Sequence, residues 1–134
     1  IVGNWSNSRY GINLKNNYPN NKFQNIFLLD PIYDPDELGA LRSNCLSYIH
    51  GHTVGGTNPS LVEAMWLGLD IICHNNEFNL YTTDFKATYF KDLNELLDIL
   101  KVKSNKKSYK SCGKKMKEIA KRKYLPKKIR FFIM

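Results

Sequence analysis

The stretch from His50 to Gly68, HGHTVGGTNPSLVEAMWLG, constrains the fold more than any other part of this chain. It reads as a strand end, a turn of small residues and a helix in direct succession. Tyr48 and Ile49 close a short apolar run, Gly55 and Gly56 free the backbone, Asn58 suits a helix N-cap, and Pro59 suits the first helical position. Such a turn is also an anion seat. Helix N–H groups and the positive end of the macrodipole face it, and two glycines let a phosphate approach the backbone. Glu63 falls about one turn into the helix, within reach of sugar hydroxyls. A nucleotide-linked ligand would use both features; the bland alternatives are a tight turn and a surface carboxylate.

The rest of the chain repeats the alternation. Ile1 to Gly3 reads as a strand end, Ser8 to Asn17 as a weak helix that Gly11 destabilises, and Asn25 to Asp30 as a buried strand ended by Pro31. Asp34-Pro35-Asp36-Glu37 has the chemistry of a helix start, and Leu38 and Leu41 would form that helix's inner face. Cys45 to Ile49 and Asp70 to His74 are the next strands. Asn75 to Asp84 reads as a polar and aromatic loop, Ala87 to Phe90 as a last strand, and Leu93 to Leu100 as an apolar helix. The order predicts an α/β fold, a Rossmann-like parallel sheet with flanking helices, whose ligands bind at the carboxyl ends of the strands.

Charge divides the chain more sharply than it describes it. The net charge is +8, yet residues 1–100 hold six Lys and Arg against eleven Asp and Glu, and all the excess lies in residues 101–134. We therefore separate a domain over 1–102 from a basic helix and tail over 103–134. Met116, Ile119, Ala120 and Tyr124 fall on one helical face, which predicts a docked helix with a basic outer side, stopped by Pro126. Three widely spaced cysteines, Cys45, Cys73 and Cys112, read as reduced packing residues of a cytosolic protein. No signal peptide is visible, and no apolar run reaches the roughly 18 residues of a membrane span. Opening on Ile1-Val2-Gly3, inside an apolar run, suggests a piece of a longer polypeptide.

Gly56-Thr57-Asn58-Pro59-Ser60-Leu61-Val62-Glu63-Ala64-Met65, with Gly68 and the strand Ile71-Ile72, resembles the donor-binding motif of glycosyltransferase family 4. The run YIHGHTVGGTNPSLVEAM resembles more narrowly a bacterial rhamnosyltransferase-like branch, with counterparts of Val2-Gly3-Asn4-Trp5 and Leu29-Asp30-Pro31-Ile32-Tyr33. The similarity extends over about residues 1–100. It implies most of the donor-binding half of a two-domain GT-B fold, and metal-independent, retaining transfer of a sugar from a nucleoside diphosphate in bacterial polysaccharide synthesis. No cofactor is implied beyond that donor, dTDP-rhamnose in the nearest resemblance. By position, Glu63 would hold the ribose, the backbone of Gly56 to Leu61 would meet the diphosphate and sugar with Asn58, Ser60 and Leu61 as N–H donors, and Ile32 and Tyr33 would lie near the base. Gly55 stands where the family's first glutamate holds the donor sugar. The resemblance also implies that the strand and helix carrying the diphosphate's Arg and Lys, and the acceptor domain, precede this chain, so that it would be inactive alone.

Other residues have competing readings. His52 is a candidate contact to the reacting end of the donor, or a strand-end histidine. His50-Gly51-His52 has a spacing found in metal sites, with no third ligand at a recognisable distance in sequence. His74 and Asn79 follow a strand and would reach the same crevice, while Met65 and Trp66 read as core. The basic tail reads first as a solvated helix face; its functional alternative is peripheral contact with anionic lipid at the cytoplasmic membrane face, where a lipid-linked saccharide acceptor would be met. The acidic balance of residues 1–100 argues against nucleic acid. A non-catalytic nucleotide-binding or interaction fragment is the alternative from another functional class.

Overall fold

The computed structural model describes residues 1–20, 22, 24–104 and 110–124. Two compact units divide the chain, residues 1–39 and 40–134. Their boundary falls within a helix, and position 102 lies inside another.

The first unit is held by local hydrogen bonds more than by an apolar core. A 3₁₀ turn, Trp5–Asn7, leads into α1, Arg9–Asn17, whose N-cap Ser8 accepts from the Gly11 N–H at 3.0 Å. Gly11, which carries a propensity cost, is sterically required: a Cβ there would sit 2.5 Å from the Trp5 carbonyl oxygen. The expected strand over Asn25–Asp30 is not formed. Val2 and Leu29 make one isolated parallel bridge, Trp5 Nε1 donates to the Leu29 carbonyl at 2.8 Å, and Asn20 accepts from the Leu28 N–H at 2.8 Å. The Asn20 side chain thus takes the Leu28 backbone groups that a neighbouring strand would have used, while Leu29 pairs its N–H and carbonyl with Ile1 and Gly3. Asp34 starts α2, Pro35–Ser43, its carboxylate accepting from the N–H groups of Asp36 and Glu37 at 2.8 and 3.0 Å.

The second unit contains the parallel sheet. Strands β1, Ser47–His50, β2, Asp70–His74, and β3, Thr88–Phe90, lie in the order β1-β2-β3, with His50 opposite Cys73 and His74 opposite Phe90. Between β1 and β2 runs α3, Pro59–Trp66; between β2 and β3 runs α4, Glu77–Thr82, where a loop was expected. Asn76 makes the difference, because its side chain caps α4 by accepting from the Asn79 N–H at 2.9 Å. Helices α5, Leu93–Ser104, and α6, Lys110–Lys123, follow. The protein is thus α/β, with a three-stranded parallel sheet flanked by helices.

Leu61, Ala64, Met65, Ile71, Cys73, Met116 and Ala120 are fully buried and form one cluster, joined by Leu69 and Ile119. Each large member contributes about 1.5–3 kcal/mol on burial. α6 is therefore part of the core, through the apolar face that its spacing predicted. It packs against α3 and β2 so closely that a Cβ on Gly113 would run into the Gly68 carbonyl. Gly68 itself has φ +73°, the left-handed turn that ends the α3 segment. Asp84 anchors the far end of α6, pairing with Arg122 and, at 2.6 Å, with Lys123.

Several packing expectations need correction. Cys45 is exposed, its thiol donating to the Leu41 carbonyl at the end of α2. Cys73 is buried, and burial, followed by the neighbouring Cys112, pushes its thiol up to about 12. Leu41 is exposed, so the expected inner face of α2 is only partly built. Met65 is core, while Trp66 is half-buried at its margin. Among the described residues no helix is long and apolar enough to cross a membrane. Pro126 and residues 125–134 lie outside the described residues.

Candidate functional site

At the carboxyl ends of β1 and β2 lies a cavity of about 160 Å³, and all its lining residues belong to the second unit. β1 contributes His50 and, just beyond it, His52; the turn contributes Val54 to Thr57; α3 contributes its cap, Asn58, and Pro59; the β2 end contributes Asn76 and Asn79. Strand ends followed by helix starts place backbone N–H groups around one point, the place where parallel α/β sheets bind ligands. None of the lining side chains is acidic.

The turn is shaped by Gly55, whose φ of +107° suits only glycine. The N–H groups of Ser60, Leu61 and Val62 are already occupied by Asn58, through its side chain at 3.0 Å and its carbonyl at 3.1 and 3.2 Å. Ser60 and Leu61 are thus spent on the cap, and the fully buried Leu61 belongs to the core. The N–H groups of Gly55, Gly56, Thr57 and Asn58 find no acceptor among the described residues, and they are the donors that the turn offers. Two asparagines fix its position. Asn76 and Asn79 both donate to the His52 carbonyl, at 2.9 and 3.2 Å, and Asn79 also donates to the His74 carbonyl at 2.9 Å.

The two histidines of the HGH run stack, with ring centroids 4.6 Å apart and planes 17° apart. His52 is exposed, whereas His50 is buried. Burial, and secondarily the His52 charge, brings His50 down to about 4, so it is neutral at pH 7. Its Nδ1 lies 3.3 Å from the Tyr48 hydroxyl, and its Nε2 is buried without a partner among the described residues. Burial raises the Tyr48 phenol, opposed by the Arg42 charge and the Ser60 hydroxyl and reinforced by Glu63.

Glu63 is on α3 but does not line the cavity; its carboxylate pairs with the Arg42 guanidinium from the last turn of α2. His74 also stays outside the lining, its ring packed edge-on against Phe90 at 5.6 Å. Ile32 and Tyr33 belong to the first unit, Tyr33 being 83% exposed. The structure thus brings His52, Gly55, Gly56, Thr57, Asn58 and Asn79 together and leaves Glu63 on the adjoining helix face. Sequence reasoning gives no site role to Arg42, Tyr48 or Asn76, and weighs His50 only as part of a metal-site spacing. Asn76 carries a local signal, as a capping residue before Glu77, and strand alternation puts Tyr48 and His50 on one side of β1.

Among the described residues no group of three or more His, Cys, Asp and Glu is gathered to hold a metal ion. Comparisons with protein-family models, curated proteins and solved structures return no match.

Proposed function

We propose that this chain is the donor-binding half of a retaining, GT-B glycosyltransferase of the family 4 type, taking a nucleoside-diphosphate sugar. The observation that carries the reading is the cavity itself: a glycine turn whose four N–H donors are unengaged among the described residues, with no acidic side chain among the described lining residues, at the carboxyl ends of two parallel strands. That lining suits a diphosphate. Glu63, held by Arg42 on the neighbouring face of α3, would accept from the ribose hydroxyls. The exposed His52 ring would meet the sugar end. Catalysis would come mainly from stabilising the departing diphosphate, and front-face retaining transfer requires no general base from the protein. A saccharide or lipid-linked saccharide is the acceptor class that fits this reading.

Calorimetry with UDP and dTDP tests it. Binding of one nucleotide, weakened roughly tenfold by Glu63→Ala, is the expected result, since one charged hydrogen-bond acceptor is worth about 1.5 kcal/mol. Failure of both nucleotides to bind would overturn the assignment. A non-catalytic nucleotide-binding role is the alternative from another functional class, for which the same donor-lined cavity would serve. Transfer or hydrolysis of a nucleotide sugar by the chain excludes that second reading.

A further inference from the structure

His50 has no part in the reading above, yet it is the most enclosed polar side chain of the cavity. It is 1% exposed, lines the cavity, and has its two ring nitrogens in opposite situations. Nδ1 faces the Tyr48 hydroxyl at 3.3 Å, and Nε2 is buried with no hydrogen-bond partner among the described residues. Buried polar atoms of this kind are rare, because an unmade hydrogen bond in a dry setting is costly.

The proton on His50 is assigned from the chemistry of the pair, since the roles of its ring nitrogens depend on the tautomer. Burial keeps the Tyr48 phenol protonated and His50 neutral. An imidazole nitrogen is a better acceptor than a phenol oxygen, so the Tyr48 O–H donates to Nδ1, and the single ring proton of His50 resides on Nε2. Nε2–H is therefore a buried donor in want of an acceptor, and the solvent-open backbone N–H groups of Gly55 to Asn58, without an acceptor among the described residues, belong to residues that line the same cavity.

We propose that His50 is a ligand-binding residue of this cavity, its Nε2–H, set by Tyr48, donating to a phosphoryl oxygen that the Gly55–Asn58 N–H groups hold from the other side. The ligand class is a phosphoryl oxyanion, whether inorganic pyrophosphate or the diphosphate of a nucleotide. In the second case the inference deepens the donor-site reading and rests on it. A neutral imidazole lets the site bind and release the anion without a proton changing hands.

The test is a titration of the whole, histidine-labelled chain with inorganic pyrophosphate and, separately, with UDP, followed by proton–nitrogen NMR of the imidazoles and of the Gly55 and Gly56 amides. The expected result is an Nε2-protonated His50 in the free protein, with the His50 Nε2–H and both glycine amides moving together at one dissociation constant. His50→Gln, whose amide nitrogen restores a donor at that place, should bind within about threefold of wild type, and His50→Leu at least tenfold more weakly. A His50 protonated on Nδ1, a His50 signal unmoved while the glycine amides saturate, or no pyrophosphate and no UDP effect at all would each overturn the proposal. The wild-type spectra decide this even where a variant fails to fold. Silence at His50 combined with UDP binding that Glu63→Ala weakens sinks this inference and leaves the nucleotide reading standing; a pyrophosphate response at His50 with UDP binding indifferent to Glu63→Ala does the reverse.

Discussion

Replacing Arg42 with methionine tests how the fold and the proposed nucleoside contact depend on each other. Arg42 and Glu63 are 20% and 17% exposed at their side chains, so their pair is neither a surface salt bridge nor a sealed one. Exposed pairs contribute about 0–1 kcal/mol, and removing one partner of a buried pair costs about 3–5 kcal/mol. Arg42→Met should therefore destabilise the chain by about 2 kcal/mol, because Glu63 is left charged and half-covered without its partner. Glu63→Gln should cost about 1 kcal/mol, and the double variant less than the sum, with a coupling of about 1–2 kcal/mol. Urea unfolding of the four proteins measures this directly. The same four proteins, titrated with UDP, separate two roles of the arginine. If Arg42 orients the carboxylate for a ribose, Arg42→Met weakens nucleotide binding roughly three- to tenfold, the scale of one poorly aligned hydrogen bond. Tighter binding in Arg42→Met would refute the reasoning, since it would make the arginine a competitor for Glu63. A coupling energy near zero would refute the pair itself as an energetic unit.

Four further outcomes are expected. Gly113→Ala should destabilise the chain by about 2–3 kcal/mol, because α6 must lift from the Gly68 carbonyl; a melting temperature within 2–3 °C of wild type would show that α6 is not docked there. Stability should fall with decreasing pH between about 6.5 and about 4. His50 titrates lower in the folded chain than its ordinary 6.5, so the unfolded state binds the extra proton in that window, worth about 3 kcal/mol in all; urea unfolding at pH 7.5, 5.5 and 4.5 should show a slope that His50→Gln abolishes. A thiol reagent at pH 7.5 should modify the exposed Cys45 at once and the buried, raised Cys73 only at the rate of unfolding, and equal rates would contradict the packing. If the outer face of α6 meets anionic lipid, changing Lys114, Lys115 and Lys121 to glutamate should abolish sedimentation with phosphatidylserine vesicles without altering the melt; unchanged sedimentation would remove that partner.

The division between what the sequence reveals here and what it hides follows the range of the interactions involved. β2 is legible to the residue because Asp70 to His74 is a short apolar run bounded by turns, and α3 because Asn58 and Pro59 act on the nearest N–H groups. The failures are those where a distant group overrides a local preference. Asn25–Asp30 has the composition of a strand, yet its pairing stops at one bridge through Leu29, and the Asn20 amide takes the backbone groups of Leu28. Gly113 sits in a lysine-rich run that reads as solvated surface, and only the approach of the Gly68 turn, 45 residues away, shows why it has no side chain. The site divides in the same way. Its turn is local and was legible; its electrostatics are not, since Arg42 meets Glu63 across 21 residues and Asn79 meets the His52 carbonyl across 27. Tyr48 and His50 are two apart and on the same side of β1, so their contact was available from strand alternation. What alternation does not reveal is that the His50 side is the buried one at the strand end. That burial turns a histidine of ordinary acidity into a neutral donor held beside a glycine turn, and it follows from the place of His50 in the sheet, opposite Cys73 of β2, rather than from any motif.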